Sequence, residues 1–550
     1  APSASETRLG AFLNRAVESN PNLQAYVLVW DFAMIYALER ELLPIYKLGW
    51  RTHSRFHFHM DGNHPLGASH HQKIVVIDDS LAFAGGIDLT KCRWDTSDHT
   101  LEDPRRNDRG CTNHEPFHDA QMAVDGEAAG VLGQLVRERW YRATGQRIPP
   151  VLSSPHDPWP DELGADVEDL EVAVSRTEPS YKGRPEVREV VSLYLDSIQA
   201  AKKYIYLENQ YLTSSVICHA LSAKLSERDC PEIVIVLPRK SSGWFEEGTM
   251  DALRSRILKK LRSADRQGKL RIYFPVLPGG LYLNVHAKIS IIDDDFARLG
   301  SSNLSNRSMG FDTECDLSVE AGGEVRLEEG IRRLRARLLA EHLGVPEKAF
   351  DSAMRKSGSL IATIEGFRGG ERTLEILDGG GVQKIFDSYV YDTSLIDPEC
   401  PAPPTELIEQ FVPDAVKRSG LRPLFWGILT LFVLLGFAAA WTWTPLKHWL
   451  NLDLLLYYTS LVSEMRAAPL LVLGAYVIGG LIQFPVTLLI VATAIAFEPL
   501  SALLFSLSGC IASAGTLYWL GRFLGREALR RFGGERLNRL SRKLGKQGLL

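Results

Sequence analysis

His71-Gln-Lys73-Ile-Val-Val-Ile-Asp78 returns 215 positions later as His286-Ala-Lys288-Ile-Ser-Ile-Ile-Asp293, and the same offset lays Gly85-Gly-Ile-Asp88-Leu on Gly300-Ser-Ser-Asn303-Leu without a gap. Self-similarity at one fixed offset marks a duplicated structural unit. Each copy reads as a short apolar strand followed by a glycine turn. Further on, Glu314-Cys-Asp-Leu-Ser-Val-Glu matches Asp119-Ala-Gln-Met-Ala-Val-Asp, after an insertion in the first copy rich in charge and glycine. Asp119 and Glu314 are therefore equivalent residues at strand starts. Upstream, residues 233–237 correspond to Ala25–Trp30, but the strand 170–174, the helix 187–203 and the strand 204–207 have no counterpart before residue 1. The first copy is expected to lack its leading strands.

Side chains two apart on a strand share a face, so His71 with Lys73 and His286 with Lys288 each present an imidazole and an ammonium in one direction. Phosphodiester cleavage needs a nucleophile, an acid for the departing alkoxide and positive charge for the equatorial oxygens. Two histidines and two lysines supply all three, so no metal and no cofactor are expected. Each histidine needs a partner to fix its tautomer, and Asp119 and Glu314 are the equivalent carboxylates. Asn303 and Asp88 follow glycine turns and are expected to join Lys73 and Lys288 around the phosphate. Asp78 and Asp293 complete the repeat at a spacing out of phase with the His-Lys pair; contact with substrate and capping of the turn are equal readings. His70 is a weaker candidate than His71, because two residues on it meets Gln72. Arg93 and Trp94 are expected to pack or pair locally.

A chain of 550 residues exceeds what one core supports. Up to about residue 420 it reads as mixed α/β, and thereafter come long uncharged runs. Residues 424–443 are long enough to span a bilayer, with Trp441 and Trp443 as interfacial anchors. Residues 467–497 form an uncharged run broken by Pro485, which suggests a broken or re-entrant element, and 499–520 is a third apolar run. Lys417, Arg418 and Arg422 precede these runs and basic residues from Arg522 to Lys546 follow them, so both flanks are expected on the cytoplasmic side of a membrane, with a bacterial inner membrane the expected setting. Proline-rich linkers divide the chain into a first half (1–146), a linker (147–168), a second half (169–380), a linker (381–420) and an all-α transmembrane domain (421–550), expected to be incomplete at its C-terminus. A net charge of -5 gives no reason to expect nucleic acid as partner. Seven scattered cysteines without a Cys-x-x-Cys pair argue against a disulfide framework and for a reducing compartment.

These residues resemble the phospholipase D superfamily, and the eukaryotic type within it. The likeness is carried by His70-His-Gln-Lys-Ile-Val-Val-Ile-Asp78, Ala84-Gly-Gly-Ile-Asp-Leu89, Arg93-Trp-Asp95, Tyr206-Leu-Glu-Asn-Gln-Tyr211, the His286–Asp293 motif with Gly300-Ser-Ser-Asn-Leu-Ser-Asn-Arg-Ser308, Asp312-Thr-Glu314 and Glu341-His-Leu-Gly344. It implies an α/β fold of two αβα halves with mixed sheets around one active site. It also implies a phosphohistidine intermediate, with His71 preferred as nucleophile and His286 as the acid that protonates the leaving alcohol and then activates water or an acceptor alcohol. Lys73, Lys288 and Asn303 would hold the phosphate, while Glu314 and Asp119 support the histidines. The expected activity is hydrolysis or transphosphatidylation of membrane glycerophospholipids. A nuclease, a cardiolipin-synthase-like phosphatidyltransferase and a vestigial lipid-handling protein are the alternatives. The membrane part is similar to the DedA family, also called SNARE-associated Golgi proteins, through Phe484-Pro485, Glu498-Pro499, Gly509, Tyr518 and Gly521-Arg-Phe-Leu-Gly-Arg526. That likeness implies an integral membrane domain linked to moving lipids between leaflets.

Overall fold

The computed structural model describes residues 9–30, 53–65, 67–106, 114–151, 158–241, 244–378, 397–400, 467–481 and 486–524. The chain divides after Ala402 into two compact units. In the N-terminal unit, helix α1 (Leu9–Ser19) precedes strand β1 (Ala25–Trp30), which pairs in parallel with β2 (Phe56–Asp61). Next come β3 (Ile74–Ile77), β4 (Leu81–Gly85), β5 (Phe117–His118), β6 (Gln121–Asp125) and helix α2 (Gly126–Thr144). β3, β4 and β6 make an antiparallel sheet whose Ala82, Ala84 and Val124 pack on Ala129, Leu132 and Leu135 of α2.

The second half runs β7 (Ala173–Glu178), β8 (Val187–Arg188), α3 (Glu189–Ala200), β9 (Tyr204–Glu208), α4 (Ser215–Leu225), β10 (Glu232–Val236), α5 (Trp244–Ala264), β11 (Leu270–Val276), β12 (Asn284–Val285), β13 (Ile289–Ile292), β14 (Phe296–Gly300), α6 (Asn306–Gly310), β15 (Glu314–Glu320), α7 (Val325–Leu343), α8 (Glu347–Ser357), α9 (Leu360–Phe367) and β16 (Thr373–Ile376). Nine of these strands form one mixed sheet in the order β16-β11-β10-β9-β13-β14-β15-β7-β8. Its central strands are mostly apolar because both faces are covered. Tyr204, Tyr206, Val234 and Val236 join a core with Leu338, Phe350 and Ile364 of α7, α8 and α9, while Ile205, Leu207, Ile233 and Ile235 join one with Ile198, Leu221 and Leu258 of α3, α4 and α5. That alternation gives the expected αβα layering. The strand expected at 170–174 lies at Ala173–Glu178, where β15 fixes its register, and the helix expected from 187 is preceded by the short edge strand β8.

The duplication is plain in three dimensions, because β3 and β4 reappear as β13 and β14. β13 pairs on its other edge with β9, and among the described residues β3 has no such neighbour. The halves interlock: β5 pairs with β12, His70 bridges to Thr313, and Cys315 and Leu317 of β15 complete the core under α2.

One expectation is corrected. Cys92 is disulfide-bonded, while Cys218, Cys230 and Cys315 are buried and free. An odd, scattered cysteine set does not preclude a bridge, since folding and not sequence spacing brings sulfurs together. The cysteines therefore give no ground for a reducing compartment.

The C-terminal unit holds helices α10 (Ala468–Leu481), α11 (Val486–Ala496) and α12 (Pro499–Leu524). Gly509 lets α12 approach the Tyr476 ring, and the Tyr476 hydroxyl sits 3.2 Å from Thr493 Oγ1 and 3.1 Å from Ser506 Oγ. Leu500, Leu503, Leu507 and Ile511 of α12 are exposed, and Leu500–Leu517 is long and apolar enough to cross a membrane. The span expected at 424–443, the break at Pro485 and the basic C-terminal stretch lie outside the described residues.

Candidate active site

The duplication brings its two motifs together, and each histidine is held by the other half. His71 Nδ1 lies 3.1 and 3.0 Å from the two oxygens of Glu314, and the His71 amide donates to the carbonyl of Thr313 at 3.0 Å. In the same way His286 Nδ1 lies 2.7 Å from Asp119 Oδ2, and the His286 amide donates to the carbonyl of His118 at 2.8 Å. Glu314 is fully buried and also accepts from Ser301 Oγ at 2.5 Å and Ser308 Oγ at 2.6 Å. Each Nδ1 held in this way leaves Nε2 to do chemistry. Both motif lysines fold back alike: Lys73 Nζ donates to the His71 carbonyl at 2.8 Å, and Lys288 Nζ to the His286 carbonyl. Lys288 also donates to Gln210 Oε1 at 3.3 Å. Asn303 is buried nearby in sequence to these serines, and its amide oxygen has no partner, an unmet hydrogen-bonding demand that a ligand would satisfy.

Electrostatics separate the two halves. Burial, with help from the Lys288 ammonium, pushes the His286 imidazole down to about 4 against the pull of Asp119 and Asp88. Burial also pushes the Lys288 ammonium down to about 8; Asp119 attracts it upward and Lys73 repels it. For Asp119, burial works to raise the carboxyl, but His286 and Lys288 hold it below the ordinary range.

Three aspartates of the repeat are placed as follows. The Asp88 carboxylate lies 3.2 Å from Lys73 Nζ and 3.9 Å from Arg93 Nε. Burial would raise it, yet Lys73, the two histidines and Arg93 keep it well below the usual range, so it enters as a fixed negative charge where the other half has Asn303. Asp293 is a structural residue. It takes a left-handed backbone after β13, and its carboxylate accepts the amides of Lys202, Lys203 and Tyr204 at 2.5 to 2.7 Å, capping the start of β9. Asp78 takes the same left-handed turn but is exposed, because among the described residues no counterpart of β9 offers it amides. Neither aspartate is brought to the histidines. His70 faces elsewhere, with Nδ1 3.1 Å from Thr313 Oγ1 and Nε2 3.1 Å from Asp61, in the lining of a separate cleft.

A second polar cluster stands behind His286. His118 Nδ1 lies 2.8 Å from Glu341 and its Nε2 2.7 Å from Glu208; His342 Nε2 lies 3.1 Å from Glu208, and His99 bridges Asp95 at 2.8 Å and Glu341 at 3.0 Å. Burial would lower the His118 imidazole, but Glu208 and Glu341 hold it well above the ordinary value. The potential ligand atoms of His99, His118 and Glu341, and of His118, Glu208 and His342, each lie within 4.8 Å of one another, but His118 held protonated between two carboxylates makes the cluster an ion-pair network, able to take a cation only by giving up that proton. The sequence offered a signal for this cluster in Arg93-Trp-Asp95, Tyr206–Tyr211 and Glu341–Gly344, which carry the family likeness without an obvious chemical role. His118 itself had none beyond its place next to Asp119.

Residues 194–328 match the sequence model of the family described as "Cardiolipin synthase, PLD-like domain", so the second half carries a phospholipase D-like domain. The chain is 24% identical to phospholipase D alpha 2 of Arabidopsis thaliana over 51% of its own length and 50% of that protein, and 23% identical to phospholipase D1 of Schizosaccharomyces pombe over 59% and 31%. It thus spans about half the length of the plant relative. Among solved structures it aligns with the phosphatidylserine synthase of Haemophilus influenzae, with a TM-score of 0.43 and 13% identity over 66% of this chain and 86% of that one.

Proposed function

We propose that the N-terminal unit is a phospholipase D-type phosphodiesterase that hydrolyses membrane glycerophospholipid, or transfers its phosphatidyl group to an alcohol, through a phosphohistidine. The crosswise support of the two histidines, His71 on Glu314 and His286 on Asp119, is the observation that carries this reading. Two imidazoles oriented in this way beside two ammonium groups support a paired-histidine reaction. One Nε2 attacks phosphorus and the P–O bond to the headgroup alcohol breaks. The second imidazole, protonated, gives its proton to that alkoxide, then takes one from water or an acceptor alcohol that displaces the histidine from phosphorus. Lys73 and Lys288 offset the charge on the phosphoryl oxygens.

The resemblance prefers His71 as nucleophile. Burial leaves His286 unprotonated at neutral pH, so its acid role requires the bound phosphate to draw in the proton. Rapid acid-free quenching and peptide mapping of the phosphohistidine assigns the pair. Because Lys288 is charged only below about 8, kcat/KM is expected to fall as pH rises through that value, and Lys288→Arg is expected to move this limb above pH 10. A profile flat to pH 10 in the parent would show that Lys288 does not supply the charge.

Mixed liposomes incubated with ethanol are expected to yield phosphatidylethanol by mass spectrometry. Absence of lipid product from every headgroup, with DNA cut instead, would replace this reading with the nuclease. The C-terminal unit is read as membrane-embedded and DedA-like, supported by the exposed apolar face of α12. Basic residues on both flanks favour a cytoplasmic catalytic unit, and protease protection in sealed vesicles tests that side.

A further inference from the structure

Four large apolar side chains stand in water on the loops that lead into the site: Leu89 is 63% exposed, Leu281 50%, Trp94 44% and Tyr282 42%. Leu89 directly follows Asp88, the partner of Lys73. Leu281 and Tyr282 lie just before β12, the strand that leads to His286. Arg93 joins the two sides, with its guanidinium 4.9 Å from the centre of the Phe117 ring, which in turn lies 5.3 Å from the imidazole of His286. The loops also approach each other, since Leu101 fills the space beside Gly279.

The exposure is built into the backbone. Gly279 and Gly280 take consecutive left-handed conformations, φ 78° and 79°, which only glycine adopts without strain. The turn is closed by the Leu277 amide donating to Leu281 at 2.8 Å, the Gly280 amide to Leu277 at 3.1 Å and the Leu283 amide to Pro275 at 3.2 Å. A turn so pinned keeps Leu281 and Tyr282 outward. Each exposed aromatic has a guanidinium on its face: Arg239 lies 4.1 Å over Tyr282, while Arg105, 4.8 Å over Trp94, is paired with the Asp103 carboxylate at 2.6 Å. An aromatic ring with a guanidinium on its face suits the level in a bilayer where acyl chains give way to phosphates.

Single exposed apolar residues are ordinary, but here they are grouped on the loop after Asp88 and the turn before β12, which meet at Leu101 and Gly279. We propose that these loops dock the mouth of the site on the face of a phospholipid bilayer, with Leu89, Trp94, Leu281 and Tyr282 entering the interface and Arg239 meeting lipid phosphate. This rests on the reading that the site cleaves membrane phospholipid. A protein partner seated on the same loops would obstruct the mouth, whereas a bilayer delivers substrate from the surface it offers.

The test uses the full chain, reconstituted in vesicles of equimolar phosphatidylcholine, phosphatidylethanolamine and phosphatidylglycerol, and in parallel held in detergent with short-chain, dissolved forms of the same lipids. Leu89→Asp/Leu281→Asp is expected to lower turnover in vesicles at least about tenfold and to leave the dissolved-substrate rate within about twofold. Equal loss on both substrates, or no loss in vesicles, overturns the proposal. A second measurement does not depend on catalysis. An environment-sensitive fluorophore on Leu281→Cys, read against the labelled parent protein, is expected to shift to the blue on transfer from detergent to vesicles. No shift overturns docking. A shift in a protein that makes no lipid product supports docking and sinks the catalytic reading instead.

Discussion

His71→Ala and His286→Ala are each expected to lower kcat/KM by about 10⁴-fold or more, with the double variant no worse than the slower single one, because nucleophile and acid act as one unit. For partly exposed His71 the loss is expected to be chemical; His286 is buried and packs on the Phe117 ring, so the fold of its variant is checked alongside the kinetics. Removing His71 deletes one side of the covalent exchange, and removing His286 deletes the other, while Lys73 and Lys288 still bind the phosphate. KM is therefore expected to change much less than kcat. Glu314→Gln and Asp119→Asn keep the shape of each support but exchange a carboxylate for a neutral amide beside Nδ1, which costs both tautomer control and stabilisation of the imidazolium. A decrease of about 10² to 10⁴-fold follows, in the range of other carboxylate-to-amide changes behind a catalytic histidine. Steady-state kinetics on the lipid cleaved by the parent protein, with circular dichroism to show an intact fold, checks all four. Activity of either histidine variant near that of the parent would break the paired-histidine mechanism.

The duplicated strings located these residues in the sequence because strand periodicity fixes which neighbours share a face. His71 with Lys73 and His286 with Lys288 needed no tertiary information. The exchange of carboxylates between halves did need it: offset matching shows Asp119 and Glu314 to be equivalent, but only the pairing of β5 with β12 and the bridge of His70 to Thr313 puts each beside the opposite histidine. Asp293 could not be placed from its motif, since the amides it caps come from residues 202–204, about 90 positions away. The pairing of Asp88 with Lys73 was likewise not legible, because offset matching equates it with Asn303 without showing what its charge would meet. In the fold, the doubly covered strands read at 204–207 and 233–237 were legible as continuous apolar runs, but edge strands of two residues such as β5, β8 and β12 carry no periodic signal. Their position is set by their neighbours.

Arg298→Met is expected to destabilise the N-terminal unit by about 3–5 kcal/mol, the usual cost of leaving one member of a buried ion pair alone. Arg298 is 1% exposed and Asp316 0%, and they form an ion pair that Arg298 extends to Ser302 Oγ at 2.7 Å and to the hydroxyl of Tyr194. Asp316 in turn accepts from the Ser302 amide at 3.1 Å and its hydroxyl at 2.5 Å, and any side chain at position 300 would strike its carboxylate. The pair thus pins the segment from Gly300 to Asn303, which supplies Ser301 to Glu314. Stability and position are separable here. Arg298→Met/Asp316→Leu removes both charges together and should recover most of the lost stability, since matched apolar replacement of a buried pair is close to neutral. It does not restore the bonds to Ser302, so activity should stay low while the denaturation midpoint returns. Denaturant unfolding of the four proteins of the cycle, read beside kcat, checks this. If activity returned with stability, the segment would owe its position to packing alone, and the second motif's glycine turn would need no buried charge beneath it.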